Sequence, residues 1–439
     1  MTRVTLIRLI TVTLSMLIVE CLSAQNSSVD QISAVELPPV NIADPIQAQG
    51  GWVGAVAAQY VPALDGSGLI SLDRTTKAHI LLGGMFSAGW DSNPDNQQHG
   101  SSSGEFTFSP YLGLQRNTSR TQYLLQYVPT FTKYSSNVYS SQLLNRASAR
   151  VLGVLSERWR WDVNADGSYG QDSLRLLVPP EGVVVGQIPG IGPNAAAYRA
   201  NAGNVTFIEG GAGVQYARSE RDSISLHVGD SYSHFSGLHG NNSIATTRLS
   251  YDRKMSPILG MAAYGQMFYG YGAINCTSVG GGIGVTWTIR ERTSLQLSGG
   301  PQVNSAACGN QLGFIFSGQF SARLSAKSQF YGLASREFGT YYLGPGLWQN
   351  SISAGYQRQL GLVGVFTADA GYTQSDSLIA SGSYHGTFYD AAFSRPLWRG
   401  FLSSISYRRY SGRTGSNDLS RDIAMFSITW SPNTRNLFR

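Results

Sequence analysis

Hydrophobic and polar residues alternate along most of this chain with a period of two. Residues 279–290 are the clearest example, because valine, isoleucine and tryptophan fall on odd positions and glycine, threonine and arginine on even ones. The segments that begin at Trp159, Ile224 and Ala424 alternate in the same way. Successive side chains of a β-strand point to opposite faces, so each segment is predicted to be a strand with one apolar and one polar face.

The alternation recurs from Lys77 to Trp430 and predicts about 18 strands. Their centres fall near residues 84, 110, 126, 148, 163, 210, 228, 248, 264, 284, 298, 317, 333, 353, 368, 387, 405 and 425. Short connections that usually carry arginine or lysine alternate with longer polar connections, such as 91–103, 174–201 and 411–419. The two ends of the structure are therefore expected to differ.

An all-β, antiparallel, up-and-down transmembrane β-barrel explains this asymmetry. Outer-membrane barrels have short periplasmic turns, longer external loops and an apolar band that faces lipid. Closure also removes the unpaired strand edges that lipid does not tolerate. A soluble propeller or sandwich is the alternative, but its inner strands would need core-filling residues on both faces. We predict the barrel over residues 76–432.

The N-terminus has the features of a secretory signal peptide over residues 1–24. Arg3 and Arg8 flank the start of an apolar stretch, and Ser23 and Ala24 suit cleavage before Gln25. Residues 25–75, with scattered prolines and glycines, are predicted to be a periplasmic arm or plug, and residues 433–439 a C-terminal tail. Export of such a barrel predicts a location in the cell outer membrane.

The composition argues against several other classes of protein. Charged residues are 13% of the 439 residues, well below the roughly 25% of soluble domains, and the chain holds 51 glycines and 23 tyrosines. No apolar run after the leader approaches the length of a membrane helix. The net charge of +6 is spread along the chain, which argues against nucleic-acid binding.

Removal of the leader leaves two cysteines, Cys276 and Cys308, each in a polar stretch. An even number of cysteines in an exported protein indicates a disulfide, which would join two neighbouring external loops. No histidine cluster flanks them in the sequence, so a zinc site is not indicated.

The polar faces of the strands carry charges of both signs. A barrel of this size can hold an aqueous channel, whose selectivity is tuned by charges that face it. Each such residue could equally serve only to solvate the wall. Three arginines on two adjacent strands could form a basic strip, with the two nearby aspartates paired to them. The predicted lumen-lining residues are Arg146, Arg150, Arg160, Asp162, Asp166, Glu209, Arg336, Asp369 and Arg408.

The sequence does not indicate catalysis. His385, Ser383 and Asp390 are the nearest grouping to a catalytic triad, but serine and histidine are common on polar barrel faces. The sequence contains no P-loop and no histidine pair with metal-binding spacing. We therefore expect a protein that is not an enzyme and holds no cofactor or metal.

The connection 174–201 contains Val178-Pro179-Pro180 and Val183-Val184-Val185, which are unusually apolar for a solvated loop. We expect it to fold into the lumen as a constriction or to pack on a neighbouring subunit.

The predicted first strand ends in Gly89-Trp90-Asp91-Ser92-Asn93-Pro94. This strand end resembles that of a family of outer-membrane β-barrel porins linked to exopolysaccharide export, whose first strand commonly ends in a Gly-aromatic-Asp-x-Asn-type sequence. The resemblance in specific residues covers only these positions. It implies that a polymer or oligosaccharide passes through the lumen.

These observations together predict a porin-like channel for small polar solutes, oligosaccharides or polysaccharide. A structural or adhesive barrel with ligand-binding external loops is the alternative. The expected partners are outer-membrane lipid, the barrel-assembly machinery and the solutes themselves, and the oligomeric state is left open.

Overall fold

The computed structural model describes residues 78–430, except 95–99, 119, 172–203, 236–240, 273–274, 290–291, 310, 326, 342–343, 361–363, 378–382, 399–400 and 415–416. The predicted leader, arm and tail and the 174–201 connection lie outside the described residues. Within the described part, no helix is long and apolar enough to cross a membrane.

Among the residues that the structure describes, nineteen strands and a 3-10 turn at Ala306–Cys308 make up the regular structure. The strands are β1 (Ala78–Asp91), β2 (Ser103–Asn117), β3 (Thr121–Tyr127), β4 (Thr130–Tyr134), β5 (Gln142–Val154), β6 (Trp159–Gln171), β7 (Asn204–Ala217), β8 (Asp222–Phe235), β9 (Asn241–Ser256), β10 (Leu259–Gly272), β11 (Cys276–Ile289), β12 (Thr293–Asn304), β13 (Leu312–Ser325), β14 (Ser328–Tyr341), β15 (Gly344–Leu360), β16 (Gly364–Ser377), β17 (Ser383–Pro396), β18 (Phe401–Thr414) and β19 (Asn417–Trp430).

The strands form one antiparallel sheet that closes on itself where β1 pairs with β19. Strands β3 and β4 share one position in the wall, because both pair with β2 on one side and with β5 on the other. Pro129 separates them, since proline lacks the N–H that a continuous ladder requires. The barrel therefore has 18 strand positions, and the prediction of an all-β barrel of about this size is confirmed.

The two faces of the wall differ in exposure. In β11, Val279, Ile283 and Trp287 are 53%, 65% and 46% exposed, whereas Ser278, which points to the other face of the strand, is 1% exposed. Side chains splay apart on the convex face of a closed barrel and crowd together on the concave face. We call the convex face the outer face and the concave face the inner wall.

The outer face is an apolar band edged by aromatic side chains. Exposed leucines, isoleucines and phenylalanines cover it, and four exposed tryptophans lie near strand ends at the short-turn end of the barrel: Trp159, Trp287, Trp398 and Trp430. At this edge the Trp159 and Tyr216 rings are 4.8 Å apart between centroids. Such an exposed apolar surface is stable in lipid, with aromatic rings at the membrane interface.

The connections at the two ends differ in length, with one correction to the prediction. One end carries short turns such as 155–158 and 257–258, and the other carries long connections such as 92–102 and 172–203. The prediction of a long loop over 411–419 was wrong, because β18 and β19 stay paired up to Thr414 and Asn417. These polar residues still form strands because a strand that extends beyond the lipid needs no apolar face.

Candidate functional site

Hydroxyl groups on the inner wall pair across neighbouring strands. The Oγ atoms of four serine pairs lie 2.7–2.8 Å apart: Ser87 with Ser427, Ser225 with Ser250, Ser294 with Ser321, and Ser335 with Ser351. A serine hydroxyl can both donate and accept a hydrogen bond, so each pair is satisfied within the wall. The inner wall is therefore polar and closely packed.

Five of the predicted lumen residues lie together on the inner wall and form what we call the β5–β7 charge group: Arg146, Arg150, Asp162, Asp166 and Glu209. Arg146 and Arg150 both act electrostatically on the Asp166 carboxylate. Asp162 differs, because its Oδ2 lies 4.0 Å from Nε2 of His227 on β8. Arg160 is exposed near the short-turn end, opposite Gln215. Of the two aspartates expected to pair with the arginines, Asp166 therefore lies near Arg146 and Arg150, whereas Asp162 lies near His227.

Glu209 is the most deeply placed member of the β5–β7 charge group. It is 3% exposed and stands directly opposite Asp166 in the strand register. Its Oε2 atom makes no hydrogen bond in the described part of the chain. Burial of this carboxylate is costly, and the only charge acting on Glu209 in the described part of the chain is the like-charged Asp166 carboxylate.

Two further predicted residues, Asp369 and Arg408, belong to a second group on the inner wall. We call it the β14–β18 charge group: Tyr331, Asp369, Asp390 and Arg408. Asp369 and Asp390 face each other in the register of β16 and β17. Tyr331 donates a hydrogen bond to Asp369, and Arg408 donates one through Nε to Asp390. The Arg408 and Asp390 side chains are 11% and 13% exposed, so this ion pair is largely shielded from water.

A glycine on the intervening strand lets distant side chains meet in both groups. Gly355 on β15 lies between Tyr331 and Asp369, and a Cβ atom at this position would collide with both. Gly213 on β7 has the same relation to Asp162 and His227. Each glycine therefore makes room for a contact between side chains two strands apart.

Sequence reasoning missed a third charged contact, between Asp91 and Arg421. Arg421 lies 3.0 Å through Nε from both carboxylate oxygens of Asp91, on the strand pair that closes the barrel. Ser92 and Asn93 continue the contact, since Ser92 exchanges hydrogen bonds with Asp422 and Asn93 donates to the Ser420 carbonyl. The motif at 89–94 could have indicated this role, because its polar residues directly follow the closing strand.

The inner wall also carries an apolar patch that the alternation did not predict. Phe388, Tyr410, Ile423 and Met425 are each less than 9% exposed and contact one another on three adjacent strands. Met425 lies over Gly89, where a Cβ atom would collide with its sulfur. The wall is therefore not uniformly polar around the barrel.

Arg336 lies apart from both charge groups. The register places Arg336 opposite Phe316 on β13 and opposite Asn350 on β15. Phe316 is one of the exposed hydrophobic residues of β13. The Arg336 guanidinium donates to Asn350 and lies 5.0 Å from the ring centroid of Trp348. That Arg336, like the other predicted residues, lines an open lumen stays a prediction.

Cys276 and Cys308 form a disulfide, with their Cα atoms 5.4 Å apart. Cys276 begins β11, and Cys308 ends the 3-10 turn that follows β12. Both residues are nearly inaccessible to solvent. The bond ties two connections at the long-loop end to the rim of the barrel.

The grouping of His385 with Asp390 is not formed in the structure. The two residues are five positions apart on β17, so their side chains point to opposite faces. Asp390 is instead bonded to Arg408.

A closed antiparallel barrel with an apolar outer face and a charged inner wall defines a transmembrane β-barrel of the outer membrane. The chain is an outer-membrane protein of this class.

Comparisons with known proteins do not narrow the class further. No model of a protein family matches the sequence, and no curated protein matches it. Among solved structures, Pseudomonas aeruginosa OccK2 (OpdF) in complex with glucuronate is similar with a TM-score of 0.47 and 10% identity, over 81% of this chain and 98% of that one. P. aeruginosa OccK5 (OpdH) has a TM-score of 0.45 and 13% identity, over 82% and 99% of the two chains. The siderophore receptor PirA of Acinetobacter baumannii has a TM-score of 0.39 and 6% identity, over 81% of each chain. Likenesses of this strength do not identify a function.

Proposed function

We propose that this chain is a pore through which small polar solutes cross the outer membrane. The observation that carries the proposal is the presence of two separate charge groups on the inner wall, one on β5–β7 and one on β14–β18. A barrel of 18 strands is wide enough to hold water, and charged side chains on its inner wall can tune which solutes pass. The protein is proposed to bind no cofactor and to carry out no catalysis.

Oligosaccharides or a polysaccharide are the finer candidates for the solute. They are suggested by the likeness of residues 89–94 to the porins linked to exopolysaccharide export, and hydroxyl-rich walls suit sugars because hydroxyl groups both donate and accept hydrogen bonds. Export by the predicted signal peptide and insertion by the barrel-assembly machinery are part of the same proposal.

Single-channel recording in planar bilayers tests the proposal. The mature protein would be refolded, and a heat-modifiable gel shift would first establish that the barrel is folded. Stable, discrete current steps are expected, and they should shrink when neutral sugars of increasing size that can enter the lumen are added. A sugar that reduces the current only from one side would indicate a constriction near that mouth.

A folded barrel that carries no current would contradict the pore. That result would favour the alternative of a structural or adhesive barrel, which would act through its external connections. Binding of the folded, non-conducting protein to cell-surface polysaccharide would then be the measurement to make.

A further inference from the structure

An apolar groove of about 450 Å³ indents the outer face of the barrel between β1, β2, β4 and β5. Its apolar lining consists of four phenylalanines and a leucine, each roughly half exposed: Phe86, Phe106, Phe108, Phe131 and Leu143. The Phe108 and Phe131 rings lie nearly parallel with centroids 6.4 Å apart. A concave apolar surface of this kind within the lipid-facing band suits an acyl chain.

The groove lies where the strand position shared by β3 and β4 is interrupted at Pro129. Beyond Pro129, β4 pairs with β5 only from Thr130 to Thr132. It stays paired with β2 up to Tyr134, which stands opposite Glu105. Because β5 begins at Gln142, opposite Thr132, β4 extends two residues beyond it towards the long-loop end, and the space beside this extension forms part of the groove.

Lys133 is the single charged side chain in the lining. It is exposed, and it makes no ion pair within the described part of the chain. The two other described lysines, Lys254 and Lys327, lie at the short-turn end. Lys133 is thus the one described lysine at the long-loop end, where no acidic residue lines the groove beside it.

The strand register places Lys133 near the long-loop end of the barrel wall. Lys133 stands opposite Phe106, which stands opposite Ala88, two residues short of Trp90 at the end of β1. Trp90 is 44% exposed on the outer face. A lysine at the level of interfacial aromatic residues can extend its ammonium group to the headgroup region while its stem lies along apolar surface.

We propose that this groove binds a phosphorylated, multiply acylated glycolipid of the outer leaflet, with an acyl chain along the phenylalanines and a phosphate on Lys133. The long connections face outward in barrels of this class, which puts the groove in the outer leaflet. The charge of Lys133 is complementary to the phosphate, and the groove is complementary to the chain. The inference depends on the barrel's location in the outer membrane and does not depend on conductance.

Native mass spectrometry of the mature protein in detergent, titrated with diphosphoryl lipid A, tests this site. Binding of one lipid is expected, about fivefold tighter than that of the dephosphorylated form of the same lipid. Lys133→Gln should weaken binding about fivefold, the contribution of one lysine near an anionic surface. Lys327→Gln, at the other end of the barrel, is the matched control and should leave binding unchanged.

A second pair of variants tests the groove itself. Leu143→Trp should fill it and weaken binding, whereas Leu226→Trp, on the outer face of β8, should not. A heat-modifiable gel shift in every variant excludes misfolding as the cause. Equal binding of the dephosphorylated lipid, equal losses in the lysine variants, or occupation of the groove by a second copy of the chain would each overturn the proposal.

Discussion

Arg421 on the last strand holds the carboxylate of Asp91 on the first strand with a two-pronged ion pair. The Asp91 side chain is fully buried and that of Arg421 is 7% exposed. The pair lies on the inner wall where β1 meets β19. These are the first and last strands, so of all neighbouring strands in the described barrel wall they are the farthest apart in sequence. A directional, shielded contact at this position fixes the register of closure, because a slip of one residue would move each partner to the other face.

Loss of one partner at this closing contact is expected to destabilise the barrel. Asp91→Asn leaves the Arg421 charge buried without its carboxylate, and removal of one member of a buried pair costs about 3–5 kcal/mol. The free energy of unfolding would be measured by urea titration in lipid vesicles. The exposed ion pair of Arg413 and Asp418 near the end of the neighbouring strand pair provides the control, and Asp418→Asn should leave stability unchanged. Equal stability of both variants would show that the pair does not hold the closure.

A side chain at Gly355 is expected to break the contact between Tyr331 and Asp369. In Gly355→Ala, the new methyl group occupies the space where the two side chains meet, so one of them must turn away. Overpacking of this kind costs about 1–3 kcal/mol. The same urea titration measures it, with Gly265→Ala as the control because no atom lies within 4 Å of a Cβ there. If Gly265→Ala lost as much stability as Gly355→Ala, the loss would come from replacing any strand glycine and not from the contact between Tyr331 and Asp369.

The strands could be predicted from the sequence because the two environments of a barrel wall impose a period of two. In β11, the alternation of Val279, Ile283 and Trp287 with small residues was enough to define both the strand and its outer face.

The contacts within the inner wall could not be predicted in the same way. Asp162 meets His227, and Tyr331 meets Asp369, across a strand that contributes only a glycine, so neither pair is local in sequence. The Asp91–Arg421 pair depends on closure, which links residues 330 positions apart. The extent of β18 was also missed, because its outer part is polar on both faces.

In the protein without residues 1–24, Cys276 and Cys308 are expected to be fully oxidised. A bond across a separation of 32 residues restricts the unfolded chain and should contribute about 3–4 kcal/mol. A maleimide reagent added to denatured protein should label no thiol before reduction and two after it. The double variant Cys276→Ala/Cys308→Ala should unfold at lower urea concentration than the oxidised protein. Labelling of the unreduced denatured protein would contradict the bond.

The charge balance of the inner wall should set the ion selectivity of the pore. Arg408 is bonded to Asp390, which faces Asp369, so Arg408→Gln leaves two carboxylates on this wall without their guanidinium. The lumen should become more negative and prefer potassium over chloride more strongly. The reversal potential in a gradient of potassium chloride measures this preference. Asp390→Asn should shift the potential in the opposite direction.

Arg409→Gln is the matched control, because Arg409 is the next residue on β18, belongs to the outer face and is exposed beside Asp422. An equal shift in Arg408→Gln and Arg409→Gln would mean that the ions respond to the net charge of the protein and do not pass along this wall.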